Sequence, residues 1–287
     1  WVDESFRLKA LAQLPPKMSV HPQGNDFFTS MPCCLPSSYG VFGMKVVHRI
    51  LGATPSLGSE ILLYDSKSGQ LQALIDGDWI TTMRTGAVAA LSIQHLQRTN
   101  TDTYSFMGLG NTARATALCL LSIFSDKKLK FRLLRYKTQA ESFIERFKEV
   151  NNVSFEIVDT IDHLVSGADA QNLICENNEL YRKGLLLVPI HTRGFQNCDL
   201  FFDKVYGDDT GHVSGFRYFD RFKEFDEFGN ILIGKNRGRE NDEQRIVVYN
   251  IGLGLHDVVF AYKIHCLLKN TVSTSFILDK EDEKFWI

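Results

Sequence analysis

SFMGLGNTARATALC, from Ser105 to Cys119, is the stretch on which the reading of this 287-residue chain turns. Its core, Gly108-x-Gly110-x-x-Ala113, is too common to interpret alone, because any tight strand-to-helix turn wants glycine for steric reasons. The flanks supply the context. TYSFMGLG before it is an apolar run ending in glycine, and TARATALCLLSIF after it repeats apolar residues at helical spacing. A strand, a glycine turn and a helix in that order are what a dinucleotide loop requires. Gly108 permits the turn, Gly110 admits a pyrophosphate to the backbone, and Ala113 lets the helix lie close to the sheet. The helix start, with Asn111 and Thr112, offers N–H groups to phosphate.

Outward from this loop, strand-like and helix-like segments alternate. KFRLLRY, VSFEIV, GLLLVPIH, CDLFFDKVY and RIVVYNIG read as strands, and TQAESFIERFKEV and TIDHLVSGAD as helices. Such alternation implies right-handed crossovers and a mostly parallel, doubly wound sheet. QNLICENNELYRK stands where a further buried strand belongs but is too polar and too short, so the sheet is modified there or residues are missing. The second strand ends in Arg135-Tyr136-Lys137, with no acid to hold a ribose 2′-hydroxyl. Arg135 and Lys137 therefore favour NADP(H) over NAD(H), a solvated strand end being the plainer alternative.

Before residue 100 the texture changes. PPKMSVHPQGNDFFTSMPCCLP is rich in proline and turn formers, FGMKVVHRIL and SEILLYDSKSGQLQALID read as strands with a hairpin turn at Ser68-Gly69, and WITTMRTGAVAALSIQHLQ reads as a helix. The last helix, HDVVFAYKIHCLLKN, leaves the parallel sheet and is expected to pack on this earlier module. Lys plus Arg number 32 against 34 for Asp plus Glu, which gives no reason to expect nucleic acid or an anionic membrane as partner. No apolar run is long enough to span a bilayer, and Trp1 begins no signal-peptide pattern, although the absent initiator Met suggests that some N-terminal residues are missing. Six cysteines without metal-ligand spacing fit a cytoplasmic protein with reduced thiols and no metal.

DGDWITTMRTGAVAAL, Asp76 to Leu91, resembles the signature of the ornithine cyclodeaminase and mu-crystallin family. SMP at Ser30, GMKVV around Lys45, GLGNTARA, GRENDEQRIVVYN and IGLGLHD follow in family order, so the resemblance covers nearly the whole chain. It implies that Arg84 and Lys45 bind a substrate carboxylate, with Thr85 beside them and Lys17 in a third carboxylate position usually held by arginine. A guanidinium fork suits a carboxylate; Lys17 keeps the charge and loses the fork. Asp257, which by its place after Gly252 and Gly254 could be a helix N-cap, corresponds to a catalytic aspartate that holds the substrate amine and exchanges protons. Lys45 is the second catalytic candidate, as proton donor to an imine. His256 stands where the family has an acid, and Thr29 where ornithine cyclodeaminase has a glutamate, which puts ornithine in doubt. His191 and Thr192 stand where they could line a nicotinamide, a structural histidine being equally compatible. RENDEQR, Arg239 to Arg245, reads as a solvated charge run that includes a family-shared Asp242.

The expected fold is α/β: a Rossmann-type, doubly wound domain over 99–252 beside a smaller α+β substrate-binding and dimerisation module. That module is formed by 1–98 and the C-terminal helix in 253–287. The implied chemistry is hydride transfer at the α-carbon of an amino acid through an imine, as in a cyclodeaminase, a ketimine reductase or an amino-acid dehydrogenase. A mu-crystallin-like binding protein is the alternative of another class. The expected partners are an amino acid or cyclic imine and a second copy of the chain.

Overall fold

The computed structural model describes residues 1–159, 181–190 and 196–271. It is an α/β structure in which an antiparallel sheet and parallel sheets share helices between them. The antiparallel sheet has five strands in chain order: β1 (Met18–Val20), β2 (Phe27–Cys34), β3 (Val41–Arg49), β4 (Leu57–Asp65) and β5 (Leu71–Asp76). Thr29, Met31 and Cys33 of β2 alternate inward with Val41, Gly43 and Lys45 of β3, the two-residue period that buries one face of a sheet. Helix α1 (Val2–Leu8) precedes this sheet, and α2 (Asp78–Leu96) leaves it.

Three parallel strands carry the glycine loop: β6 (Thr103–Phe106), β7 (Leu129–Leu134) and β8 (Val153–Val158). Their connecting helices are α3 (Asn111–Ile123) and α4 (Gln139–Arg146). Among the described residues a second parallel sheet runs β11-β10-β12-β9, from β9 (Leu186–Leu187), β10 (Lys204–Gly207), β11 (Phe225–Glu227) and β12 (Ile246–Tyr249). Short helices α5 (Thr210–Val213) and α6 (Phe228–Leu232) follow β10 and β11. Helix α7 (Gly254–Leu268) turns back onto the antiparallel sheet: Val258 fills the space over Gly43, and Gly254 lies against the Met31 carbonyl.

Helix α2 joins the two halves. A Cβ on its Gly86 would stand 2.6 Å from Ala115 of α3, so only glycine lets the helices pack this closely. That contact fixes Arg84, half a turn earlier, relative to the glycine loop at the head of α3.

Several local expectations need correction. The proline-rich segment before residue 36 contains β1 and β2, with Pro32 inside a strand. Cys34 exchanges both backbone bonds with Gln13, so Pro32, two residues earlier, turns its nitrogen to the same side, between Gln13 and β1 where no ladder runs. CDLFFDKVY is not one strand: a 3-10 turn, Gln196–Phe201, precedes β10, because an apolar run alone does not separate a buried strand from a buried turn of helix. GLLLVPIH contributes only Leu186–Leu187 before Pro189. RENDEQR is more than a charge run. Half-buried Arg239 donates to the carbonyls of Leu96, Gln244 and Gly184, and Asp242 accepts from the Thr99 N–H at 2.9 Å. TIDHLVSGAD, most of QNLICENNELYRK, His191 and Thr192 lie outside the described residues.

Candidate active site

At the junction of β3, α2 and α7 stand three charged side chains that water barely reaches. Lys45 Nζ lies 2.7 Å from Asp257 Oδ2, and Arg84 Nε donates to Asp257 Oδ1 at 2.9 Å. Relative exposure is 1% for Lys45, 5% for Arg84 and 0% for Asp257. Each comes from a different element. The inward alternation of β3 turns Lys45 to the buried face of the sheet, the Asp76-Gly77 turn launches α2 with Arg84 two turns in, and Asp257 sits in the first turn of α7, where the helix dipole favours a carboxylate.

The energetic tension in this group is large. Burial, reinforced by the Arg84 charge, pushes the Lys45 ammonium down to about 7, although Asp257 works in the opposite direction. Burial favours the neutral acid at Asp257, yet Arg84 and Lys45 together hold it below the usual carboxylate range. A charge cluster this dry survives only because each ion has its partner. Lys45 also reaches Thr81 Oγ1 at 3.5 Å, and Thr81 bonds Ser59 at 3.0 Å, a polar edge beside the ammonium.

Arg84 spends only Nε on this pair. Nη1 and Nη2 make no hydrogen bond to a described residue, and they lie over Gly252, where a Cβ would stand 2.6 Å from Nη1. Gly252 also has φ +105°, a backbone conformation that L side chains resist. Half-buried Lys17 lies in the field of the same group; burial lowers its ammonium, Arg84 adds to this, and Asp208 and Asp257 oppose it. Thr85 donates its hydroxyl to the Thr81 carbonyl of its own helix at 2.6 Å.

Asp208 and His212 are missing from the sequence reading. Fully buried Asp208 follows β10; it accepts the Gly252 N–H and meets His212 Nδ1 at 3.1 Å. The available signal was its place just past the C-terminal end of a parallel strand, where ligands bind in open sheets. Lys9 ties the same corner down, 2.7 Å from both Asp209 and Glu227.

The glycine loop fits a dinucleotide. Arg114 N–H donates to the Gly110 carbonyl, so the N–H groups of Asn111, Thr112 and Ala113 precede the first helical hydrogen bond of α3. Gly108, at φ +80°, and Gly110 both face open space where a Cβ would be. A cavity of about 740 Å³ is lined by Met107, Gly108, Gly110 and Asn111 of the loop and also by Val188 and Ile190. At the end of β7, Arg135 is already shared between Glu141 (2.6 Å) and Asp159 (2.7 Å), and Lys137 lies over the Tyr136 ring at 5.5 Å.

Comparison with known proteins bears on the family and the fold. The family model described as "Ornithine cyclodeaminase/mu-crystallin family" matches residues 1–174. A Δ1-pyrroline-2-carboxylate reductase of Bacillus thuringiensis subsp. konkukian is 25% identical, over 76% of this chain and 75% of its own. Among solved structures, an archaeal alanine dehydrogenase dimer with bound NAD superposes with a TM-score of 0.79 at 22% identity, covering 96% of this chain and 93% of that one. The Thermococcus litoralis Δ1-pyrroline-2-carboxylate reductase with NADH and L-proline gives 0.80 at 20% identity, over 96% and 94%. The fold is thus of the Rossmann type with a second, antiparallel module.

Proposed function

Because the chain belongs to the ornithine cyclodeaminase/mu-crystallin family, we propose that it is an enzyme reducing the C=N bond of an α-imino carboxylate with a nicotinamide cofactor. The observation that carries this is Lys45: an ammonium 1% exposed and lowered to about 7 can give up a proton at neutral pH. Its proton goes to the imine nitrogen. A nicotinamide held by the glycine loop would supply the hydride for the imine carbon, which together with the Lys45 proton turns C=N into C–N as the cofactor is oxidised. The Nη edge of Arg84 and Lys17 hold the substrate carboxylate. Asp257, assigned by resemblance to the substrate amine, has both oxygens engaged by Lys45 and Arg84, so it acts here as their counter-ion.

The charges around Lys45 favour reduction over cyclodeamination. A diamino acid brings a second ammonium, which needs a free carboxylate. In the sheet Lys45 stands between Met31 and Ile61, with Gly43 and Val47 along its strand. The nearby acids are engaged: Asp257 as above, Asp208 with Gly252 and His212, and Asp209 with Lys9.

For the cofactor, residues Met107 to Ala113 would hold the pyrophosphate on the α3 N-terminus. The absence of an acid at the end of β7 supports NADP(H). Arg135 would trade exposed ion pairs, each worth at most about 1 kcal/mol, for a doubly charged phosphate. A homodimer is supported by the outer face of the antiparallel sheet, where Met18 is 70%, Val20 65% and Leu74 55% exposed. The test follows absorbance at the reduced-nicotinamide band and ammonia release together, with five- and six-membered cyclic imino acids and with L-ornithine. Stoichiometric cofactor oxidation by a cyclic imine is expected. Ammonia from ornithine without net oxidation would make the protein a cyclodeaminase.

A further inference from the structure

Lys45 gives up a proton in each reduction proposed above, and 1% exposure leaves it almost no water from which to recover one. Its charged neighbours are poor sources. Arg84, facing it from α2, stays protonated, and Asp257, facing it from α7, is wholly buried with both oxygens engaged. Lys17 contributes only repulsion. The remaining contact of the ammonium leads outward. Lys45 Nζ donates to Thr81 Oγ1 at 3.5 Å, Thr81 Oγ1 lies 3.0 Å from Ser59 Oγ, and Ser59 Oγ donates to Asp78 Oδ1 at 3.2 Å. Asp78, the first residue of α2, is exposed.

Three elements build this chain of contacts. Lys45 of β3 stands opposite Ile61 of β4, and Ser59, two residues before Ile61, shares its buried face. The first turn of α2 closes over both, with the Thr81 N–H donating to the Gly77 carbonyl at 2.7 Å. Gly77 donates its own N–H to the Ser59 carbonyl, and a Cβ on it would stand 2.9 Å from Ser59 Oγ. Glycine leaves that hydroxyl its place.

The direction of the hydrogens follows from counting. A hydroxyl has one proton to give. Ser59 gives its proton to the Asp78 carboxylate, so it accepts from Thr81, and Thr81 accepts from the ammonium, which can only donate. All three links point from Lys45 to the surface. The Ser59 N–H, 2.6 Å from the same Asp78 oxygen, holds the outer end in place. The longest link belongs to the long, flexible stem of lysine, whose motion closes it during transfer.

We propose that Thr81, Ser59 and Asp78 form a relay that returns a proton from water to Lys45 after each turnover. Once Lys45 has protonated the imine nitrogen, its neutral amine is an acceptor, and the two hydroxyls turn about their C–O bonds to face inward. Asp78, having taken a proton from water, passes it to Ser59 Oγ as the Ser59 proton moves to Thr81 Oγ1 and the Thr81 proton moves to Lys45 Nζ. One bond to hydrogen breaks for each that forms, and neither hydroxyl is left charged. The kinetic part of this inference rests on the reductase reading; the path to Lys45 does not.

Two measurements on the full chain test it. The relay matters from the second turnover onward, because Lys45 starts protonated at pH 6, below its value of about 7. With enzyme in excess over a cyclic imino acid, Ser59→Ala is expected to oxidise the reduced nicotinamide within twofold of the wild-type rate. With the imino acid in excess, its kcat is expected to fall about tenfold. Thr81→Val is expected to lower kcat likewise, and Thr81→Ser, which keeps the hydroxyl, to restore it. An unchanged kcat, or equal loss in first and later turnovers as a merely structural defect produces, would overturn the proposal. In protein labelled with 15N-lysine, with Lys45→Met to assign the signal, exchange of the Lys45 ammonium protons with water is expected to slow about tenfold in Ser59→Ala. Unchanged exchange would overturn the relay whatever the enzyme does. If Ser59→Ala does not fold, Asp78→Asn, which keeps an acceptor for Ser59 but takes up no proton, is held to the same two expectations. If no imine is reduced even in the first turnover, the reductase reading fails and proton exchange alone decides the relay.

Discussion

Arg84 and Arg135 carry the same guanidinium and both meet carboxylates at hydrogen-bond distance, yet they occupy different solvents. Arg84 is 5% exposed and its partner Asp257 not at all, whereas the Arg135 side chain is 45% exposed between Glu141 and Asp159. In water an ion pair is worth at most about 1 kcal/mol, and a competing anion displaces it. Stripped of water, removal of one partner strands a charge at a cost of about 3–5 kcal/mol. The Arg84–Asp257 pair is thus a fixed electrostatic device, and the end of β7 a replaceable one. Mutations in the two regions should differ accordingly in size and in kind.

The largest effect belongs to Lys45. Lys45→Met removes the proton donor and leaves Arg84 and Asp257 as a simple pair, so kcat for imine reduction should fall about 10²–10⁴-fold while cofactor binding, followed by fluorescence, persists. In the wild type the protonated donor is lost as pH rises through about 7, giving an alkaline limb there. A Lys45→Met enzyme that kept both rate and limb would assign the proton to another group. Asp257→Asn acts on the same limb from the other side. The Asp257 charge favours protonated Lys45, so its removal should move the limb to lower pH. Stranding Arg84 should cost on the order of 3 kcal/mol in denaturant unfolding. An unmoved limb would mean that Asp257 does not set the proton affinity of Lys45.

Gly252→Ala probes the carboxylate site without touching a charge. The new methyl would meet Nη1 at 2.6 Å and strain a backbone at φ +105°, displacing the guanidinium edge that the substrate uses. Loss of a charge-assisted pair is worth about 1.5–3 kcal/mol, so KM should rise about 10- to 100-fold. If KM holds, the carboxylate binds elsewhere.

The two regions were also unequally legible in the sequence. The glycine loop announced itself by a local pattern, strand, turn and helix, that needs no distant partner. Lys45, Arg84 and Asp257 were found through resemblance; period and spacing alone would have left Asp257 an N-cap and the two cations surface charges. What stayed hidden depends on chain folding over long separations. Ser5 and His256, which share a hydrogen bond, are 251 residues apart and no pattern links them. Asp208 was masked by a four-residue strand that includes Lys204, and β2 by Pro32, whose nitrogen happens to face a gap in the ladder. Arg239 looked solvated because its partners are backbone carbonyls, which a sequence does not display.

Arg135→Gln should have the smallest effect and is the sharpest test of the exposed region. Both of its carboxylate partners face water, so folding stability should change by no more than about 0.5 kcal/mol. If Arg135 exchanges those partners for a 2′-phosphate, the KM for NADPH should rise up to about tenfold while that for NADH stays put, because only the phosphorylated cofactor loses a contact. A second outcome is equally informative. Should NADH already be preferred by the wild type and Arg135→Gln leave both constants unchanged, then Glu141 and Asp159 hold the guanidinium for good. The basic end of β7 would then be a solvated strand end, and the contrast with Arg84 would sharpen: of two arginines that each bind carboxylates, only the one removed from water would take part in binding.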